Sequence, residues 1–110
     1  MAKRKKKDKH WAKIYSEILN DPVFLAFPIS TRYAYVLLVS HIYNPGQREI
    51  KFSYAEAEKH MSSRTFSRAI AKLEDTGFIR TTQRGGLFGK PNKYIISDEW
   101  RTPFKDTGMV

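Results

Sequence analysis

The spacing of apolar positions changes several times along this chain, and each change marks an element. Between Ser62 and Lys93 the pattern is clearest. Phe66, Ile70 and Leu73, with Ala69 beside them, recur at helical spacing and predict one buried stripe on a helix from about 63 to 76. Ser62 or Ser63 can cap its first turn. Gly77 can take the left-handed conformation that closes a helix, and Phe78 can pack back on the last turn. Phe78 to Gln83, with β-branched Ile79, Thr81 and Thr82, predicts a strand. The Gly- and Pro-containing run from Arg84 to Asn92 breaks it, and Lys93–Ile96 returns as its partner.

Upstream the elements are shorter. Trp11 to Leu19 fits either alternation or a helical face, and is read as a strand or extended segment followed by a turn of helix. Asp21-Pro22 is an N-cap with proline at the first helical position, opening a helix through Ala26 that Phe27-Pro28 ends. Ser30 starts a helix running to about Tyr43, with Ala34, Leu37, Leu38 and Ile42 inward. Asn44-Pro45-Gly46 is a turn, and Glu49–Phe52 is a strand that should pair with the later hairpin. Ser53 and Glu56 have capping-box spacing, so a helix runs from there to about His60. A turn at His60–Met61, without the usual glycine, leads into the helix from Ser63. Trp100 should pack on the core.

Composition narrows the class. At 110 residues with 41% hydrophobic content the chain makes one domain. The longest dense apolar run, Ala34 to Val39, is far too short to span a bilayer. No apolar segment follows the basic N-terminus as a secretory signal would require, so a cytoplasmic protein with no membrane partner is expected. The chain has no cysteine, which removes disulfides, thiol catalysis and thiolate metal sites together. His10, His41 and His60 have no ligand spacing. Gly85–Lys90 lacks the spacing, the following Ser/Thr and the helix of a nucleotide-binding loop. No nucleophile–base pairing stands out, so no catalytic residue, metal ligand or cofactor is assigned, and the protein is not read as an enzyme.

The net charge of +9 is unevenly placed. Residues 1–10 hold six Lys/Arg against Asp8; residues 11–60 balance five cations with five acids; residues 61–110 hold nine cations against five acids. The excess sits on a basic arm, 1–10, read as disordered alone, and on the helix–hairpin half. That distribution is a footprint for a polyanion. Arg64, Arg68 and Lys72, spaced by four, fall along one line of the helix, away from the apolar stripe. Ser63, Ser67 and Ala71 beside them are small enough for a flat partner to come close. The DNA major groove is wide enough to admit such a helix. In it, Arg64 and Arg68 can pair with guanine, Lys72 suits phosphate, and Ser63, Thr65 and Ser67 add first-turn and mid-helix polar contacts. Arg84, Lys90 and Lys93 flank the loop of the hairpin, and Lys3, Arg4, Lys5, Lys6 and Lys7 of the arm can track phosphates. Glu74 and Asp75 stand at the helix C-terminus, where the dipole disfavours them, and nothing in the sequence accounts for the pair.

These residues resemble a known group. The runs Phe52–Ala57, Arg64–Ile70, Leu73-Glu74, Gly77–Ile79, Gly85–Leu87 and Lys93–Arg101 are similar to the winged helix-turn-helix proteins of phages, plasmids and integrated elements, including N-terminal domains of replication-initiation proteins. The resemblance covers about residues 11–101 and leaves 102–110 as a short C-terminal tail. It implies an α+β, mainly helical fold: a winged helix-turn-helix with a small antiparallel sheet. It also implies double-stranded DNA as partner, a recognition helix at about 63–76 and a wing at 84–93, in replication initiation or transcription regulation, with a homodimer left open. Two alternatives stand beside it. One is an RNA- or ribosome-associated basic protein, for which Phe88 is the one good stacking candidate; the other is a protein-interaction module whose basic face docks an acidic partner.

Overall fold

The computed structural model describes residues 11–44, 46–85 and 91–101, without the side chain of Arg101. The basic arm 1–10, Lys90 and the tail 102–110 lie outside the described residues. The described chain is a small α+β domain with five helices and a three-stranded antiparallel sheet.

Helix ends follow local chemistry. α1, Ser16–Leu19, is one turn long; Tyr15 before it is extended, and residues 11–15 join no strand of the sheet, so the strand alternative is not realised. α2, Pro22–Ala26, opens on Asp21, whose Oδ2 accepts from the amides of Val23 at 2.9 Å and Phe24 at 3.4 Å. It stops at Phe27, which Pro28 holds extended at φ −68°, ψ 150°.

α3, Ile29–Val39, starts one residue before the expected Ser30 and ends well before Tyr43. Beyond Val39 the backbone tightens into i→i+3 turns, with the His41 amide donating to Leu38 O and the Ile42 amide to Val39 O. Ser40 Oγ and His41 Nδ1 lie at 2.6 and 3.0 Å from the Leu37 carbonyl, so side chains take up the group that another helical turn would have used. Ile42 still packs on the core.

α4, Tyr54–Ala57, carries the full capping box. The Glu56 amide donates to Ser53 Oγ at 3.1 Å, and the Ser53 amide donates to Glu56 Oε1 at 3.2 Å. It does not extend to His60, because the Lys59 and His60 amides turn to carbonyls three residues back. α5, Ser63–Asp75, is the longest helix. Ser62 is its cap, its Oγ accepting from the Thr65 amide at 3.1 Å, and Phe66, Ala69, Ile70 and Leu73 are buried as expected. Gly77 closes it at φ 85°. The Phe78 amide reaches back to Leu73 O and the Gly77 amide to Glu74 O, which satisfies two orphan carbonyls.

β1 is Ile50–Phe52, β2 is Ile79–Gln83 and β3 is Asn92–Ile96, in the order β1-β3-β2. The expected pairing of the early strand with the hairpin is present, Ile50 facing Tyr94 across β3. β2 begins at Ile79, not Phe78, since the Phe78 amide is spent on the helix stop. Between Thr81 and Gln83 the register slips by a bulge. Ile50, Phe52, Ile79 and Tyr94 face the core with the stripe of α5. At one end Phe24, Phe27, Tyr35 and Phe78 form an aromatic cluster with centroids 5.5–6.0 Å apart. Trp100, in a closing 3₁₀ turn Glu99–Arg101, stacks parallel on Phe78 at 5.0 Å. None of the described helices is long and apolar enough to cross a membrane.

Candidate nucleic-acid interface

One face of α5 is committed to the core, and that fixes what its other face can present. With Phe66, Ala69, Ile70 and Leu73 inward, Arg64, Ser67, Arg68, Ala71 and Lys72 are all exposed. Among the described residues the ion pairs are His41–Glu56, Arg84–Glu74 and Lys93–Glu49, and none of them involves Arg64, Arg68 or Lys72. Like charges four apart on a helix destabilise it by roughly 0.2–0.5 kcal/mol per pair. The line is thus a small standing cost, with no acid among the described residues in an ion pair with it.

The first turn is more occupied. Ser63 Oγ donates to Glu58 Oε2 at 3.1 Å, and Thr65 Oγ1 accepts from Ser62 Oγ at 2.9 Å. Thr65 therefore keeps its own proton for an outside acceptor, whereas Ser63 has given its proton to Glu58. The turn before α5 is fixed from α3: Tyr33 Oη and His60 Nδ1 are 2.8 Å apart and the two rings meet edge-on.

The hairpin divides the other expected residues between two places. Arg84, just past β2, is largely exposed and its guanidinium lies 3.6 Å from Glu74 Oε2 at the end of α5. Glu74 also accepts a hydrogen bond from the Thr81 hydroxyl. This accounts for an acid at a helix C-terminus: it ties α5 to β2 and to the base of the loop. Asp75 is exposed, and no ion pair among the described residues involves it. Tyr94, on the neighbouring strand, has its hydroxyl pushed well above the usual phenol range by burial, with Tyr54 and Glu74 adding to the effect.

Lys93 lies elsewhere. Alternation about buried Tyr94 places it on the sheet face away from the core, directly across from Lys51, with Glu49 at 3.9 Å. Arg80 lies on that same outer face, beside Ile95. The structure thus brings Arg64, Arg68 and Lys72 together on α5, puts Arg84 near the end of that helix, and sets Lys93 apart with Lys51 and Arg80. Lys51 and Arg80 were not singled out by sequence, although each sits beside buried neighbours in a period-two strand, which is the signal for an outward cation. Among the described residues no group of three or more His, Asp or Glu side chains is arranged to hold a metal ion. Comparisons with protein-family models, with curated proteins and with solved structures gave no match.

Proposed function

We propose that this chain is a winged helix-turn-helix DNA-binding domain, in which α4 and α5 form the helix-turn-helix and the β2–β3 hairpin is the wing. α5 enters the major groove with Arg64, Arg68 and Lys72 along the contact line. Arg84 and Lys90 meet backbone phosphates, and the arm Lys3–Lys7 tracks the duplex. The observation that carries this reading is the cation line, in no ion pair among the described residues, on a helix whose opposite face is buried. The small Ser67 and Ala71 let the backbone approach base edges, and the neutral 11–60 segment leaves the positive potential concentrated on this half. A role in replication initiation or transcription regulation follows from the resemblance of the sequence runs given above.

The test compares duplex DNA, single-stranded RNA and an acidic protein as ligands for the same preparation, then selects sites from a random duplex library. Deleting residues 1–9 should lower the slope of log affinity against log salt by roughly 2–4 and weaken all duplexes alike. Arg68→Ala should cost about 1–3 kcal/mol on a selected site and much less on random sequence. Preference for RNA or for the acidic protein overturns the reading. Equal losses on both duplexes would reduce Arg68 to a phosphate contact.

A further inference from the structure

We propose that the outward face of the sheet docks a second segment of duplex DNA, so that one chain holds two duplexes. The inference rests on the duplex binding proposed for α5 and adds a separate site to it. Lys51 and Lys93 stand directly opposite one another on β1 and β3, and Arg80 points outward from β2 beside Ile95. Arg48, exposed just before β1, lines a hollow of 220 Å³ together with Ile95, at the rim of the same face. Against these four cations stands Glu49, whose carboxylate lies 3.9 Å from Lys93 Nζ and accepts from the Thr82 hydroxyl at 2.7 Å. Arg48, Lys51 and Arg80 are in no ion pair among the described residues. Like charges set directly opposite in a sheet destabilise it, and a bound polyanion reverses that cost.

The composition of the face selects the occupant. A sheet that reads single strands presents aromatic rings on which bases stack. Among the described residues from 46 onward no large apolar side chain is exposed, so this face offers cations without a stacking platform. Such groups hold phosphates and position a duplex without reading its sequence. The duplex presents one charge per about 1.7 Å of axis, close enough to meet several of the cations together. The sheet and α5 bury their inner faces in one core, Ile50, Phe52, Ile79 and Tyr94 with Phe66, Ile70 and Leu73. Their outer faces therefore lie on different sides of the domain. DNA has a persistence length of about 150 base pairs, so a short duplex seated on α5 does not fold round to the sheet. The sheet takes a second one.

The test immobilises a duplex of about ten base pairs, one helical turn, and loads it with the full chain. It then measures capture of a second, labelled duplex of the same length. Capture is expected, and it should weaken as salt rises. Lys51→Gln combined with Arg80→Gln should lower capture roughly tenfold or more at about 0.1 M salt, with binding to the first duplex changed less than about twofold. Both positions are exposed, so the thermal midpoint should not move. A chain that is retained by the first duplex but captures no second one overturns this proposal and leaves the α5 reading standing. A chain that is not retained at all overturns both. Capture that survives the double substitution overturns the sheet as the site. So does tighter capture of a labelled single strand, or of polyglutamate, than of the duplex.

Discussion

Replacing Gly77 by valine puts a Cβ where the fold has no room for one. The residue sits at φ 85°, and a Cβ there would lie 2.7 Å from Trp100 N and 2.9 Å from Glu99 C, both backbone atoms. The left-handed conformation alone costs an L-residue about 1–2 kcal/mol, and more when it is β-branched. The clash can be relieved only by moving the Glu99–Arg101 turn outward. That stretches the bond from the Trp100 amide to the Gly77 carbonyl, now 3.1 Å, and slides the indole off Phe78. Each of these losses is worth roughly 0.5–1.5 kcal/mol. The sum is about 2–5 kcal/mol, which in a domain of this size lowers the thermal midpoint by roughly 10–30 °C. Gly77→Ala carries the same Cβ and should show most of the loss. Gly46→Ala is the control: nothing lies within 4 Å of its added Cβ, and stability should stay within about 0.5 kcal/mol of wild type. The assay is thermal and urea unfolding of all four proteins. A Gly77→Ala protein melting with wild type would refute both the strain and the clash.

Two further outcomes follow from the Glu74 and Tyr94 environments. Glu74→Gln keeps an acceptor for Thr81 but releases Arg84; stability should fall by no more than about 1 kcal/mol, since Arg84 is mostly solvated. On duplex DNA its salt slope should rise by about 0.9, one more cation being free for phosphate, and an unchanged slope would show that the pair does not restrain Arg84. Tyr94 has a folded-state pKa above its unfolded value, so its contribution is complete below about pH 10 and is lost as pH rises toward the folded value. Urea titrations at rising alkaline pH should show wild type losing up to about 1.4 kcal/mol per pH unit more than Tyr94→Phe, and parallel losses would contradict the burial of that hydroxyl.

Elements whose two ends are both written in side chains were legible in the sequence. α2 lies between Asp21-Pro22 and Phe27-Pro28, and α5 between Ser62 and Gly77. α3 overshot because the apolar periodicity continues through Ile42, while the stop depends on Ser40 and His41 turning back on one carbonyl. α4 overshot for a similar reason, having a written start and no written stop. The cation line of α5 could be read from spacing alone, because spacing by four fixes a face in any helix. The role of Glu74 could not, since Thr81 and Arg84 reach it only after the hairpin has folded back. The outward position of Lys93 likewise depends on which residues of β3 meet β1 and β2, a register that local composition does not specify.

The strand order has a consequence for how the chain is made. The middle strand of the sheet, β3, is the last of the three described strands to leave the ribosome, and among the described residues it is the only neighbour that β1 and β2 have. Until Asn92–Ile96 has emerged, Ile50 and Phe52 have no ladder to join, and the apolar side of α5 lacks Tyr94 against it. The helices can form early, but the long-range closure from Ile50 to Tyr94 must wait until β3 has emerged. Elongation through these five residues therefore works as the latch of the domain. A stall before them leaves β1 and β2 without a ladder, and insertion of β3 pairs the inner edge of each.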